Sequence, residues 1–285
     1  MSIAGWLPVD WPKCILPLAL RDEKGGYVPI GTGFLLAHPF GGRSFNCLVT
    51  AKHVIMKDDG QLRNDVFIVA NKKTMGIDAL QLSVLSHSGI VWKAHAEKDV
   101  GIIPIPVIPK IHDLKRLSSD LVEDFSNVRE GDEIFFLGFP LSLGATPSRV
   151  TPIVRGGMVA MKNEDETFLI DANVFPGNSG SPVFFKPCPF TSGPTGLKLG
   201  QIRPPKLIGI VTSYLPYEEV AVSPQTGRAR ASFQENSGLA SVLSMRFIRE
   251  VLTSSDFQTM LQEILDKEKT TQSPIDQTSP SAPKS

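Results

Sequence analysis

The sequence predicts an all-β protein, and three observations support that prediction. Glycine and proline are abundant, with 24 and 23 residues, and short apolar segments recur between turns that carry Gly, Asn, Asp or Pro. Helix-length amphipathic patterns are scarce before residue 240, so the crossover helices that a parallel sheet requires are missing. About a dozen predicted strands in one chain favour an antiparallel barrel or a pair of packed barrels.

The N-terminal half is expected to hold an extended arm and six strands. Residues 1–12 form the arm, and Lys110–Phe125 is a polar connector to the second half. Glycines flank Thr32 inside the second strand, which indicates a β-bulge or a close approach of two backbones. The predicted strands are Cys14–Leu20, Tyr27–Ala37, Ser44–Thr50, Asp65–Ala70, Leu80–Leu85 and Val100–Pro106.

The second half continues with the same pattern of short strands and turns. Two long polar segments, Pro187–Pro205 and Pro216–Asn236, are rich in turn residues and are predicted to be loops. The predicted strands are Glu133–Phe139, Thr151–Ala160, Thr167–Asp171, Pro182–Phe185, Lys206–Ser213 and Gly238–Leu243.

The C-terminal segment carries the helical signals of this chain. Ser244 is expected to cap one helix and Ser255 a second, each followed by apolar residues at helical spacing. These apolar stripes are packing faces. From residue 270 to residue 285 the chain is rich in Ser, Thr, Pro, Gln and Lys, which predicts a disordered tail.

Composition excludes several classes of protein. The 29 basic and 29 acidic residues balance, so the chain lacks the electrostatic footprint of a nucleic-acid-binding protein. No segment reaches the roughly 18 apolar residues that span a bilayer, and residues 1–20 do not resemble a signal peptide. The three cysteines are widely spaced, which argues against a disulfide framework, a zinc site or another metal site. We therefore expect a cytoplasmic protein without a metal or cofactor.

One short segment, Gly177–Pro182, is a candidate for a catalytic loop. Its sequence is Gly-Asn-Ser-Gly-Ser-Pro, which suits a tight turn rather than a helix or a regular strand. Such a turn can hold the Ser179 hydroxyl outward and align backbone N–H groups beside it, as acyl transfer requires. Judged alone, the segment is more typical of a surface turn than of a catalytic loop, so a base and an acid must be found elsewhere in the sequence.

The histidines narrow the choice of catalytic arrangement. His38, His53, His87, His95 and His112 all precede Ser179, which excludes the Ser, acid, His order of α/β-hydrolases. His53 is the best base because it follows the end of an apolar strand. Asp99 is the best acid because it opens an apolar strand, where a carboxylate needs a partner; Asp171 is the second candidate.

With these residues the sequence resembles the chymotrypsin-like (trypsin-like) serine peptidases, and within them the HtrA/Deg branch, here without a PDZ domain. The resemblance extends over roughly residues 28–253. It rests on three motifs in the family's order: Leu48-Val49-Thr50-Ala51-Lys52-His53-Val54, Lys98-Asp99-Val100-Gly101-Ile102-Ile103, and the segment from Asp171 to Pro182.

The resemblance implies a fold of two packed antiparallel six-stranded β-barrels with C-terminal helices. The peptidase domain would cover residues 1–269, with barrels at about 13–115 and about 126–243 and helices at about 244–268. The active site would lie in the cleft between the barrels.

The resemblance also implies a role for each site residue. Ser179 would be the nucleophile, His53 the base and Asp99 its orienting acid, and the N–H groups of Gly177 and Ser179 would form the oxyanion hole. The hydroxyl of Thr212 would support the acid, and Tyr214 would make the specificity pocket small. The residues assigned to substrate binding are Asn173, Val211, Thr212, Ser213 and Tyr214.

Two functions remain open at this stage. The first is a serine endopeptidase that acts on a polypeptide substrate. The second is a protease-fold module that binds peptides or a partner, and that is inactive or active only with a regulatory protein partner, because fold alone does not fix activity. The oligomeric state is left open.

Overall fold

The computed structural model describes residues 7–82, 84, 90–107, 110–193 and 196–272, with the side chains of residues 189–193, 196–201 and 271–272 left out. Residues 1–6 of the predicted arm, residues 273–285 of the predicted tail, and His87 lie outside the described residues. The protein is mostly β-structure, as expected from the sequence, and its strands form two antiparallel units followed by helices.

The first unit is a seven-stranded sheet with the order β5-β4-β1-β2-β3-β7-β6. The strand count therefore differs from the six strands expected, because the two-residue strand β6 adds to the edge beside β7. Leu18 and Ala19 of β1 pair with Gly31 and Pro29 of β2, so a bulge at Ile30 lies just before the glycines where it was predicted. The strands are β1 (Ile15–Arg21), β2 (Tyr27–Phe40), β3 (Arg43–Thr50), β4 (Phe67–Asn71), β5 (Ile77–Gln81), β6 (Lys93–Ala94) and β7 (Gly101–Pro104).

The second unit is a closed six-stranded barrel, as the family resemblance implied, with the order β10-β15-β14-β11-β8-β9. Strands β12 (Cys188–Gly193) and β13 (Gly196–Arg203) form a separate hairpin. The barrel strands are β8 (Glu133–Gly138), β9 (Ile153–Lys162), β10 (Thr167–Asp171), β11 (Pro182–Phe185), β14 (Leu207–Val222) and β15 (Ala229–Ser244).

Both segments predicted to be loops contain strands instead. Most of Pro187–Pro205 is the β12–β13 hairpin, and Pro216–Asn236 is the outer part of the β14–β15 pair, hydrogen-bonded from Pro216 opposite Asn236 to Val222 opposite Ala229. This outer part is exposed on both faces. It lacks the alternation of buried and exposed residues by which strands are recognised in sequences, since neither of its faces packs on a core.

Three α-helices are described. The short helix α1 (Lys52–Ile55) follows β3, and α2 (Met245–Thr253) and α3 (Ser255–Gln272) end the described chain. The Ser244 side chain makes no capping hydrogen bond, and the second cap is Ser254 rather than Ser255, since its hydroxyl accepts from the Phe257 N–H at 3.3 Å. Helix α3 also continues past residue 270, where the tail was predicted to begin. None of the helices described is long and apolar enough to cross a membrane.

The two units pack through a shared apolar core. The indole of Trp11 stacks on Phe135 and lies 4.6 Å from the Phe184 ring, which ties the described part of the arm to the barrel. The buried face of α2 joins the same core. Cys14 and Cys47 are free and buried, and burial raises the pKa of both thiols to about 12, so neither is a reactive nucleophile.

Candidate active site

The candidate base and the candidate acid meet because two neighbouring strands are in a fixed register. Strand β3 pairs with β7 so that Thr50, the last residue of β3, lies opposite Gly101, the first residue of β7. Residues that follow β3 and residues that precede β7 therefore lie at the same end of the sheet. His53 in α1 and Asp99 are placed side by side by this arrangement.

The contact between His53 and Asp99 has two parts. Nδ1 of His53 lies 2.7 Å from Oδ2 of Asp99, and the backbone N–H of His53 donates to Oδ1 at 2.9 Å. Burial alone would raise the pKa of Asp99, but the hydrogen bonds and the charge of His53 outweigh it and leave that pKa below its usual value. An ionised Asp99 keeps the ring proton on Nδ1, so Nε2 can accept a proton.

The candidate nucleophile lies in a turn that depends on two glycines. Gly177 and Gly180 have φ angles of +98° and +86°, in the left-handed region that favours glycine. A Cβ at Gly180 would lie 2.0 Å from the Thr32 carbonyl oxygen, and one at Gly177 would lie 2.2 Å from that of Phe139. Ser181 is absent from the residues with positive φ, so its side chain fits the turn without backbone strain.

The peptide planes of the turn direct two N–H groups away from the protein interior. The carbonyl of Pro176 accepts a hydrogen bond from the Leu141 N–H at 2.7 Å, and that of Asn178 accepts from the Ser181 N–H at 2.8 Å. Because these peptides are trans, the following N–H groups, of Gly177 and Ser179, point the opposite way. Neither has a hydrogen-bond partner among the residues described, as expected of an oxyanion hole.

Thr32 fixes the nucleophile turn to the first sheet, a role that the sequence did not reveal. Its backbone N–H donates to the Ser179 carbonyl at 2.8 Å. Its hydroxyl donates to the Gly177 carbonyl at 2.7 Å and accepts from the Phe139 N–H at 3.1 Å. The threonine between the two glycines of β2 was the available signal, but the bulge alone did not indicate what the hydroxyl contacts.

The Ser179 hydroxyl makes no hydrogen bond to His53 in the described structure. It donates to the Thr212 carbonyl at 3.2 Å, and this is its one hydrogen bond within the described part of the chain. His53 and Ser179 nevertheless line the same cleft.

The cleft has a volume of about 440 Å³, within the usual range of ligand sites. It contains three of the predicted substrate-binding residues, Thr212, Ser213 and Tyr214. Residues 174–176 and Ile30 were not predicted but also line it. The full lining is Ile30, His53, Asp99, Val174, Phe175, Pro176, Gly177, Ser179, Thr212, Ser213 and Tyr214.

Three predicted roles do not fit the geometry. Asn173 is exposed on the turn after β10 and Val211 is buried in the barrel core, so neither lines the cleft. The Thr212 hydroxyl donates to the Ser241 carbonyl at 3.2 Å rather than supporting Asp99. It does so because Thr212 lies on β14 beside β15, and its hydroxyl meets that strand.

Asp171 is not part of this arrangement. Asp171 ends β10 with an exposed side chain and is not among the residues that line the cleft. Across the described ranges, no group of three His, Cys, Asp or Glu residues is close enough to hold a metal ion.

The strand order of the barrel is consistent with the fold of the trypsin-like peptidases. The family model for the trypsin-like peptidase domain matches residues 31–186, more than half of the chain, so the chain belongs to this family. This confirms the resemblance drawn from the three motifs. No curated protein matches the sequence.

The similar solved structures include HtrA-type proteases. HtrA-type protease AlgW with tripeptide is 15% identical, with a TM-score of 0.48, over 88% of this chain and 62% of that chain. The serine endoprotease from Yersinia pestis is 15% identical, with a TM-score of 0.48, over 89% of this chain and 65% of that one. This chain therefore spans less than two thirds of the length of either protein.

Proposed function

We propose that this protein is a serine endopeptidase that hydrolyses peptide bonds of a polypeptide substrate through an acyl-enzyme. The observation that carries the proposal is one cleft with three features: the His53–Asp99 pair, the Ser179 side chain, and two N–H groups that have no partner among the described residues. A nucleophile, an oriented base and oxyanion donors are the three parts that acyl transfer needs.

The proposed acylation begins when the Ser179 hydroxyl turns from the Thr212 carbonyl toward His53. Its Oγ bonds to the carbonyl carbon of the scissile peptide, and its proton moves to Nε2 of His53. The C–N bond then breaks as His53 returns that proton to the leaving amine nitrogen. A water molecule repeats the sequence on the acyl-enzyme and releases the carboxylate product and free Ser179.

Two groups stabilise the charges that form in these steps. Ionised Asp99, held against Nδ1 of His53, stabilises the imidazolium. The N–H groups of Gly177 and Ser179 face the developing oxyanion, and each such donor is worth about 3–4 kcal/mol of transition-state stabilisation.

The proposed substrate lies in an extended conformation beside β14. Strand β11 pairs with β14 only as far as Ile210, so the edge of β14 beyond Val211 is open to another strand. Tyr214 is half-buried and packs on the barrel core from the cleft. It is expected to limit the pocket to small aliphatic side chains. The three unpaired thiols are typical of a reducing compartment, and we place the proposed enzyme in the cytoplasm.

A second candidate function is a peptide-binding or partner-activated module. The specific observation in its favour is the hydrogen bond from the Ser179 hydroxyl to Thr212, which leaves His53 paired with Asp99 alone within the described residues. In this alternative a regulatory protein partner or a bound peptide would turn the serine toward the base.

A fluorophosphonate probe tests the proposal, because it labels only a serine that an adjacent base activates. We expect stoichiometric labelling at Ser179 in the folded wild type, none in Ser179→Ala, and strongly slowed labelling in His53→Ala. Labelling of the wild type only after addition of a peptide or partner would favour the second function. A folded wild type that stays unlabelled under all conditions would refute the endopeptidase.

A further inference from the structure

The candidate acid is carried by a tight turn, residues 95–99, between β6 and β7. The His95 N–H donates to the Val100 carbonyl at 2.9 Å, and the Val100 N–H donates to the Lys98 carbonyl at 2.9 Å. Asp99 is the last residue of this turn. The position of its carboxylate therefore depends on how firmly the turn is held.

The His95 imidazole holds this turn from within. Its Nδ1 accepts hydrogen bonds from the Glu97 N–H at 3.1 Å and from the Lys98 N–H at 3.0 Å. An atom that accepts two N–H groups carries no proton, so the proton of the neutral ring is on Nε2. The side chain is only 15% exposed, and its ring packs edge-on against the Phe247 ring of α2 at 5.7 Å.

The other ring nitrogen connects the turn to the C-terminal helix. Nε2 of His95 donates to Oε2 of Glu250 at 2.9 Å. Glu250 is fixed in turn by Arg246, whose Nε donates to Oε1 at 2.7 Å. The hydrogen bonds from His95 and then Arg246 lower the pKa of Glu250, which keeps this carboxylate ionised.

We propose that His95 is a positioning residue for Asp99, and that Glu250 of α2 orients His95 for this role. The arrangement places a second histidine and carboxylate behind the His53–Asp99 pair. Nδ1 of His95 holds the 96–97 and 97–98 peptide groups of the turn that carries Asp99, and Nε2 of His95 connects the turn to Glu250 of α2. This inference rests on the proposed peptidase function for its kinetic consequences, but its geometry is independent of that function.

The proposal makes a kinetic distinction. His95 is not among the residues that line the cleft, so substrate binding does not depend on it directly. Its loss would displace Asp99 and, through Asp99, the His53 ring. Misplacement of catalytic groups lowers kcat, and a shift on the order of 1 Å costs roughly a hundredfold.

Two substitutions separate the contacts of His95. His95→Ala removes both the hydrogen-bond acceptor of the turn and the connection to α2. We expect kcat to fall roughly ten- to a hundredfold with little change in KM. His95→Asn keeps a side-chain oxygen that can accept from N–H groups two and three residues on. It should recover most of the lost kcat.

Glu250→Ala tests the connection to the helix. The Glu250 side chain is 41% exposed, so its removal leaves the core intact. We expect a smaller loss of kcat, roughly three- to tenfold. Glu263→Ala, which removes an exposed glutamate from α3, is the matched control and should leave kcat unchanged. If His95→Ala does not fold, Glu250→Ala and His95→Asn decide the outcome.

An NMR readout makes the test independent of catalysis. The Nδ1 proton of His53, hydrogen-bonded to Asp99, gives a downfield resonance that a merely structural role of His95 would not move. We expect it to broaden or shift in His95→Ala and Glu250→Ala and to stay unchanged in Glu263→Ala.

The outcomes separate this inference from the proposed function. A folded but inactive wild type would refute the peptidase while the His53 resonance still tests the role of His95. An unchanged resonance in folded His95→Ala and Glu250→Ala would overturn the positioning role, whatever the activity. So would a loss of kcat in His95→Ala that His95→Asn does not reverse.

Discussion

Replacing Thr32 with valine tests how the nucleophile turn is held. Valine matches threonine in shape but lacks the hydroxyl, which here makes two hydrogen bonds. One is donated to the Gly177 carbonyl at 2.7 Å and one is accepted from the Phe139 N–H at 3.1 Å. Thr32 is fully buried, so water cannot replace the hydroxyl.

The expected cost follows from the two groups left without a partner. A buried backbone donor or acceptor that loses its partner costs about 1–3 kcal/mol. Thr32→Val should therefore lower the free energy of unfolding by about 2–6 kcal/mol, a large part of a typical total of about 5–15 kcal/mol. Thr32→Ser keeps the hydroxyl and loses one methyl group, which should cost only about 1 kcal/mol.

Urea unfolding measures these free energies, provided that the denaturant slope is unchanged between variants. Thr50→Val is a graded control. Within the described residues the Thr50 hydroxyl makes one hydrogen bond, to the Thr32 carbonyl, so its loss should cost about 1–3 kcal/mol. The folded fraction of Thr32→Val should also react with the fluorophosphonate at least about tenfold more slowly, because a displaced Gly177 weakens the oxyanion hole. A valine variant within about 0.5 kcal/mol of the serine variant would refute this account, since surface substitutions give differences of that size.

Three further predictions concern other parts of the molecule. Gly180→Ala adds a Cβ 2.0 Å from a carbonyl oxygen at a φ of +86°, and should lower the free energy of unfolding by at least about 2 kcal/mol; a stability equal to wild type in urea would contradict this. Hydrogen bonds from Lys98 and then Thr167 lower the pKa of Asp165 to about 2. Because that pKa is lowered in the folded state, wild type should be more stable than Asp165→Asn above about pH 4, and this difference should disappear as the pH falls toward 2. Thermal unfolding across this pH range measures the difference. A difference that does not change with pH would contradict the prediction. The amide protons of residues 217–235 should exchange faster than those of residues 207–211, because two exposed strands alone are marginally stable; equal protection by hydrogen exchange would show that this hairpin is buried in an assembly.

The ends of the strands that carry the candidate site could be predicted because turn-forming residues lie on either side of these strands. Strands β10 and β11 begin and end at the predicted residues, Thr167–Asp171 and Pro182–Phe185. His53 and Asp99 were recognisable because each adjoins an apolar strand, and both lie with Ser179 in one cleft. Local patterns of burial and turns therefore located these three candidates.

The supporting residues could not be found in the same way. The Thr32 hydroxyl contacts a carbonyl 145 residues away, and His95 contacts a carboxylate 155 residues away. Contacts of this range leave no local periodicity. His95 lies in a polar segment without a strand or turn pattern that marks it. The outer β14–β15 hairpin has a sequence typical of a loop because neither of its faces is buried. Tertiary contacts decide the structure of both segments, whereas a local sequence pattern reflects mainly which residues are buried.

The attachment of Thr32 to the nucleophile turn has a consequence for the synthesis of the protein. The first sheet supplies His53 and Asp99 and, through Thr32, fixes the turn of the second barrel that carries Ser179. Neither unit alone contains a complete site. Because domains emerge and fold in order during translation, a nascent chain would gain the proposed activity only after both units have folded and docked. Docking of the two units would then delay the proposed activity, so that a partly synthesised chain would not cleave nearby proteins.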